Sequence, residues 1–459
     1  MEHSPNNVCG YAWPQELDYG ASNNFTNQSC CYRKSLSDTD RCAWHADLRD
    51  TDEKTIENLK ASLTPAKILS QTSNGLELLD GANLAGLEIG DQLNLTDVKL
   101  RDADLTGVDL SKAEWYNVDL SNSDLTDAVL RRTVLLSLNF SNATMVGIDL
   151  SESDITESYF SEVDLSNANF IGAEFNDVDF TNATLTDAYL MELEFEDVKF
   201  RRCNLSGAFL ADSDLANTEF FDANLSNAFI SGSDLSDANL DLSNLSGATL
   251  SSTNLRNCNL SHTNFTDADL KGADLTGADL RGIDLSGVSV DRSTKVQKLS
   301  NLETIASNET SNKVKTWADI AQAYHELKTA FSENGMIGRA RKYRMRERRA
   351  RRREAYADGG VSGYTAWLGS LLSRFTTGYG VQLRWPVGII IAIILGSAIF
   401  YAPTRIDNGL YYSIVTFVTS PPTEPPNSGI TEEIALAETF IGTLYIVLLG
   451  YVLGNREQI

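Results

Sequence analysis

The sequence predicts a mainly β chain: a four-sided β-helix through its middle, then a helical hairpin, then two long apolar segments flanking a short third one. Three observations carry this. Every fifth residue from Leu95 to Val290 is Leu, Phe, Ile, Met or Val, Trp115 excepted, which makes 40 consecutive positions. Residues 317–331 space their apolar side chains as a helix does. Two apolar runs, 385–402 and 434–453, lie near the end of the chain.

Residues 1–50 hold Cys9, Cys30, Cys31 and Cys42, and His45 stands in "RCAWHAD". Cys42 and His45 have the C-x2-H spacing of a zinc half-site, and Cys9 with Cys30 or Cys31 would complete four ligands. A disulfide pair and free thiols are the alternatives. The opening twenty residues have neither a basic start nor an apolar stretch, so the segment is expected on the cytoplasmic side, where thiols stay reduced. That favours a structural zinc knob, which so small and weakly apolar a segment needs as a staple. Residues 51–75 read as a linker with a helix.

Residues 76–294 carry the repeat. A period of five fits neither a helix nor a flat strand. It fits a chain that turns a corner every five residues, so that four corners close a coil of 20. The large residue and the compact one two before it (Ala103, Ala113, Ser123, Ala128) then point inward, and the Asp or Asn between them faces water. Coils stacked by backbone hydrogen bonds about 4.8 Å apart give a rod roughly 50 Å long. Cys203 and Cys258 occupy the compact inward position and read as core. Leu79, Leu84 and Ile89 keep the spacing one residue out of phase, so an inserted residue is expected near Gly90–Asp91.

The cleanest stretch, "ADLKGADLTGADL" at 268–280, resembles the A(D/N)LXX pattern of pentapeptide-repeat proteins. That resemblance implies a right-handed quadrilateral β-helix. Residues 20 apart should stack on one face. Tyr189, Phe209 and Phe229 are so spaced, each at the ordinarily polar position, and Ile171 and Met191 fall on the same face. An outward apolar stripe on an acidic rod points to contact with an unidentified protein partner; the alternative is that these side chains lie singly on the surface without a role.

Residues 295–375 read as a helical hairpin with a basic juxtamembrane segment. Trp317, Ile320, Tyr324, Leu327 and Phe331 share one face, "ENG" at 333–335 breaks the helix, and Met336, Ala340 and Tyr343 should face back from a second. The pattern resembles one tetratricopeptide-like unit. That second helix holds "RARKYRMRERRARRR" at 339–353, with ten basic residues and one Glu. Arg348, Arg349, Arg351, Arg352 and Arg353 lie nearest the first apolar run, where basic clusters mark the cytoplasmic leaflet.

Residues 376–459 read as a two-span membrane module. "WPVGIIIAIILGSAIFYA" at 385–402 is uncharged with Trp385 and Tyr401 at its ends, and 434–453 carries one charge, Glu438. Each is long enough to cross a bilayer. Arg405 is the one basic residue of the connecting loop, which places both termini in the cytoplasm. "LYYSIVTFVT" between the runs resembles the re-entrant pore helix of two-helix potassium channels. That resemblance implies a tetramer with Thr416, Thr419 and Ser420 near its axis. Where that family has its Gly-Tyr-Gly filter, this chain has Pro421, Pro422 and then Glu424, so the filter is degenerate.

The formal net charge is −25, and the arginine block, at about +9, makes the remainder about nine charges more acidic still. Such a surface does not suit nucleic acid as a ligand. Abundant Asp, with Arg over Lys, fits a haloarchaeal, high-salt cytoplasm. His262 and His325 are isolated, and the sequence has neither a nucleophile–base pattern nor a Gly-rich phosphate loop, so an enzyme is not expected. Three readings follow: a channel-like membrane protein with a docking rod, an anchored interaction scaffold, or an acidic DNA mimic such as those pentapeptide-repeat proteins that act on gyrase. The apolar runs count against the last.

Overall fold

In the computed structural model, the described residues are 42, 44–46, 55–61, 77–297, 299–308, 313–377, 384–401, 413–414 and 434–443. The chain divides into two compact units, Met1–Leu299 and Ser300–Ile459.

The first unit contains a short helix, α1 (Ile56–Ala61), and the repeat region. There the backbone forms parallel bridges between residues 20 apart, in four columns per coil. Asp164 pairs with Thr184, Asn169 with Tyr189, Phe175 with Phe195, and Asp179 with Lys199. One column broadens into a seven-stranded parallel sheet, β1 (Glu77–Leu78), β2 (Leu95–Lys99), β3 (Glu114–Asp119), β4 (Val134–Leu136), β5 (Asp154–Thr156), β6 (Glu174–Asn176) and β7 (Phe195–Glu196). The corners explain the period. The second residue after each large one turns left-handed, as at Asn142 (φ 59°), Asn182 (φ 61°) and Asp267 (φ 60°), where Asn, Asp and Gly are least strained. Gly147 shows why a glycine suits such a corner: a Cβ there would stand 2.5 Å from Asp127 Oδ1 in the previous coil.

Both inward positions are as expected. Leu205, Leu225, Leu245, Ala208 and Ala248 are fully buried. Phe140, Phe160, Phe180, Phe200 and Phe220 form a stacked core ladder with centroids 4.7–5.3 Å apart. Trp115 fits the same position because its indole N–H donates to the Leu93 carbonyl at 2.9 Å. Serine and threonine are tolerated at the compact position because their hydroxyls reach a carbonyl 23 residues back, as Ser233 Oγ does to Leu210 (2.6 Å) and Thr253 Oγ1 to Ile230 (2.9 Å). Cys203 and Cys258 do likewise toward Phe180 and Leu235. Both are buried free thiols, and burial pushes Cys258 up to about 12 and Cys203 higher still.

The outward Asp or Asn caps its own corner: Asp164 Oδ1 accepts the Ser166 N–H at 3.0 Å, and Asn264 Oδ1 that of Thr266 at 2.9 Å. Asn204, Asn224, Asn244 and Asn264 also pass amide hydrogen bonds of 2.9–3.1 Å from coil to coil. The expected insertion lies at the 3-10 turn Gly90–Gln92. Before it the register is 21 residues (Glu88 with Asp109), and after it 20 (Leu95 with Trp115). A second 21-residue step, Asp274 with Lys295, ends the stack.

The second unit contains α2 (Ser300–Asn308), α3 (Lys313–Glu333), α4 (Ile337–Asp358), α5 (Gly360–Thr377) and α6 (Arg384–Tyr401), with a further helical stretch at 434–443. α3 and α4 form the expected hairpin. Trp317, Ile320, Tyr324, Leu327 and Phe331 are buried, Gly335 turns left-handed, and Ala340 and Tyr343 face back. Met336 is half-buried at the turn, its N–H bonded to the Phe331 carbonyl at 2.8 Å.

Among the described residues no helix is long and apolar enough to cross a membrane. The two crossings expected at 385–402 and 434–453 are therefore not reproduced there. α6 ends at Tyr401, and the described part of the second run is 434–443.

Candidate functional site

The outward aromatic column is where the rod departs from its own rule. In the same column, Asn169, one coil before Tyr189, and Asp269, two coils after Phe229, cap their corners through Ile171 N (3.2 Å) and Lys271 N (3.1 Å). Tyr189, Phe209 and Phe229 have no carboxylate or amide with which to do so. Their rings instead stack nearly parallel, 5.1 Å apart between Tyr189 and Phe209 and 4.9 Å between Phe209 and Phe229, each with an interplanar angle of 4°. The coil spacing thus sets ring spacing at van der Waals contact. Tyr189, Phe229 and Ile171 are exposed. Phe209 and Met191 are half-buried.

At the N-terminal edge of the rod, Cys42, Trp44, His45 and Ala46 are buried. The Trp44 carbonyl accepts the Asn83 N–H at 2.6 Å, the place that Ala82 takes for Asp104 one coil later. This turn therefore covers the open edge of the first coil, and edges of this kind need cover. His45 Nε2 donates to the Asp80 carbonyl (3.1 Å), which leaves Nδ1 as the acceptor facing Cys42 Sγ at 3.2 Å. A ring so fixed through its other nitrogen suits metal ligation. Cys9, Cys30 and Cys31 lie outside the described residues, and among the described residues no group of three or more His, Cys, Asp or Glu could hold a metal ion. The fit to zinc thus rests on the Cys42–His45 pair alone.

On α4, sequence reading took the arginines as one block, and the structure sorts them. Arg339, Arg346 and Arg353 stand seven apart and stack on aromatics of α3. Arg339 lies 5.3 Å from the Phe331 centroid, Arg346 6.0 Å from Tyr324 and 5.5 Å from Tyr343, and Arg353 4.7 Å from Trp317. Phe331, Tyr324 and Trp317 are themselves seven apart, so the two helices run antiparallel in matched register. Arg353 also meets Glu303 at 3.8 Å. Arg351 pairs with Glu347 and Glu354 at 3.5 and 3.9 Å. Arg349 and Arg351 are exposed, and Arg348 and Arg352 half-buried. His325, read as isolated, meets Glu347 at 2.9 Å, and His262 meets Asp241 at 3.3 Å.

Thr416, Thr419, Ser420, Pro421, Pro422 and Glu424 lie outside the described residues. Ser413, just before them, is fully buried. Its hydroxyl lies 2.9 Å from the Ile394 carbonyl of α6 and makes a short contact with the buried carboxyl of Glu438.

Four bridge columns per 20 residues, left-handed corners every five and an apolar core of two inward positions define a β-solenoid of five-residue repeats. The chain is a pentapeptide-repeat protein. Models of the family match it at 94–132, 116–151, 194–228, 218–257 and 250–287 ("Pentapeptide repeats (8 copies)") and at 135–210 ("Pentapeptide repeat region"). Similar solved structures include HetL, involved in heterocyst differentiation regulation in the cyanobacterium Nostoc sp. strain PCC 7120. It is 24% identical, covering 51% of this chain and 100% of that one, with a TM-score of 0.23. Full-length QnrB1, a plasmid-mediated fluoroquinolone resistance protein, is 19% identical over 47% of this chain and 93% of its own, with a TM-score of 0.23. Another pentapeptide-repeat protein from Nostoc is 31% identical over 25% and 84%, with a TM-score of 0.18. No curated protein matches the chain significantly. Pentapeptide-repeat proteins are generally non-enzymatic, structural or interaction proteins.

Proposed function

We propose that this protein is a non-enzymatic interaction scaffold, anchored to the cell membrane by its apolar runs, whose rod docks a partner protein along the Tyr189–Phe209–Phe229 ladder. The ladder carries the reading. Three successive coils replace a corner-capping residue with an aromatic ring, and a contiguous apolar strip results, whereas Tyr159 and Leu242 stand exposed elsewhere on the rod. In this reading both termini are cytoplasmic, and the Cys42–His45 turn, with the thiols before it, holds a structural zinc.

The test replaces Tyr189, Phe209 and Phe229 together with Asn, which restores the corner caps. The rod should melt as before, while the partner cross-linked to the native protein is lost. Undiminished cross-linking would remove the ladder from the interface.

A second reading makes the apolar region a pore-like module, probed by the same contacts that motivate it. Ser413 bridges α6 and the 434–443 helix, the layout a short helix held between two spans requires. Four copies of Glu424 near an axis would favour cations. Recording from purified protein in bilayers, with subunit number by native mass, decides it: a dimer or a silent tetramer leaves the scaffold alone.

A further inference from the structure

Helix α5 turns an apolar stripe away from the helices it packs on. Gly363 is buried, and its backbone comes so near the end of α4 that a Cβ would stand 2.6 Å from the Ala355 carbonyl oxygen. With that side against α4, Val361, Tyr364 and Leu368 point outward, 82%, 52% and 49% exposed. Spacings of three and four put them on one stripe. Tyr356, exposed at the end of α4, meets Tyr364 edge-on at 6.0 Å and Trp367 at 5.8 Å, so an aromatic cluster adjoins the stripe. Single exposed apolar residues need no explanation, but a contiguous set does.

The charge pattern says what covers it. The chain has 63 acidic residues, yet from Gly359 to Ile406 there are none. The charges in that stretch are Arg374, Arg384 and Arg405, and the arginine-rich α4 precedes it. A protein surface of average composition would not demand such one-sidedness; an anionic lipid surface would.

We propose that α5 lies in the plane of the bilayer interface, with Val361, Tyr364 and Leu368 in the headgroup boundary of an anionic leaflet. Tyrosine and tryptophan suit that depth, having an apolar body and a polar tip. A helix keeps its backbone hydrogen bonds satisfied there, and an apolar stripe with basic residues beside it is what binds such a surface. The proposal rests on the membrane-anchored reading and adds a second, peripheral attachment to it. It also gives the arginine block a ligand chemistry, the phosphate and carboxylate groups of anionic lipids.

The test uses full-length protein in which Val361, Tyr364 or Leu368 is replaced by the photo-cross-linker benzoylphenylalanine, with Ser362 and Ala366, exposed on another side of the helix, as controls. At Tyr364 the replacement keeps an aromatic ring, so folding is not at issue there. The protein is reconstituted into phosphatidylcholine vesicles with and without phosphatidylserine and irradiated. Lipid adducts are expected at the three stripe positions, several-fold above the controls, and more with phosphatidylserine. Protein–protein adducts at the stripe, or equal yields at all five positions, would overturn the proposal. Alkaline carbonate extraction of the same vesicles separates the two readings. A chain retained in the membrane without stripe adducts overturns the in-plane helix alone; a chain released overturns the anchoring with it.

Discussion

The guanidinium of Arg353 stands 4.7 Å from the centroid of the buried Trp317 ring, and this contact ends a seam of three such pairs at seven-residue steps along α3 and α4. Each contact is worth about 0.5–2 kcal/mol, according to how far water is kept out. The seam gives α4, which has only Ala340, Tyr343 and Ala350 buried, a hold on its partner that aliphatic packing alone would not supply.

Trp317→Ala should therefore destabilise the helical hairpin by about 3–5 kcal/mol, the usual cost of emptying a large buried site. Arg353→Met keeps the stem and loses the charge, and should cost about 1 kcal/mol. Denaturant melts of the two variants check this; equal losses would mean that the guanidinium contributes as much as the whole indole.

In the rod, Leu235→Asp should be severe, losing several kcal/mol, because it buries an unpaired carboxylate in a column that is 1% exposed. Asp234→Asn, one residue away, keeps an oxygen for the Ser236 N–H (2.8 Å) and should change stability by less than about 0.5 kcal/mol. Thermal melts followed by circular dichroism would separate them, and similar shifts would invert the inward and outward assignment.

The last coil should loosen in acid. Asp291 accepts the Ser293 hydroxyl first of all, and the N–H groups of Thr294, Gly272 and Ser293, which hold its carboxyl well below the usual carboxylate range. A folded-state value depressed in this way stabilises the coil above the unfolded carboxylate value of about 3.9, and that contribution is lost as pH falls below it. Protection of the Gly272, Ser293 and Thr294 amides, taken relative to their intrinsic exchange rate at each pH, should thus fall between pH 4 and more acid solution, and Asp291→Asn should flatten the dependence. An unchanged profile in that variant would assign the effect to other carboxylates.

Metal analysis of the full-length protein should return about one zinc per chain. His45→Ala should lower that content and loosen the first coil, since it removes both Nδ1 and the bond to the Asp80 carbonyl. Zinc-free protein with Cys42 in a disulfide would sink the assignment.

The rod was legible from the primary structure because a five-residue turn imposes its period on every side chain, so Leu95 to Val290 could be placed inside without knowing any contact. The out-of-phase Ile89 even located the 3-10 turn at Gly90–Gln92. The arginine seam was harder. Its two seven-residue spacings are plainly there, at 317, 324, 331 and at 339, 346, 353, but which arginine meets which ring depends on the register between helices. The stripe on α5 escaped notice because Gly363, Gly369 and several serines dilute its hydrophobicity. For the candidate site, the ladder was readable from residues 20 apart; the capping role of Trp44 was not, since its partner Asn83 lies in another segment altogether.

Between its two 21-residue steps the rod keeps a 20-residue register, so a visitor displaced by one coil finds nearly the same arrangement of corners, caps and amides. Such a surface resembles a ruled edge without numerals. Tyr189, Phe209 and Phe229 supply the numeral: three rings on consecutive coils tell a bound molecule how far along the rod it sits. Moving the aromatic triplet two coils up or down, with Asn in the vacated places, would then carry the docking position with it by about 10 Å and leave its affinity untouched.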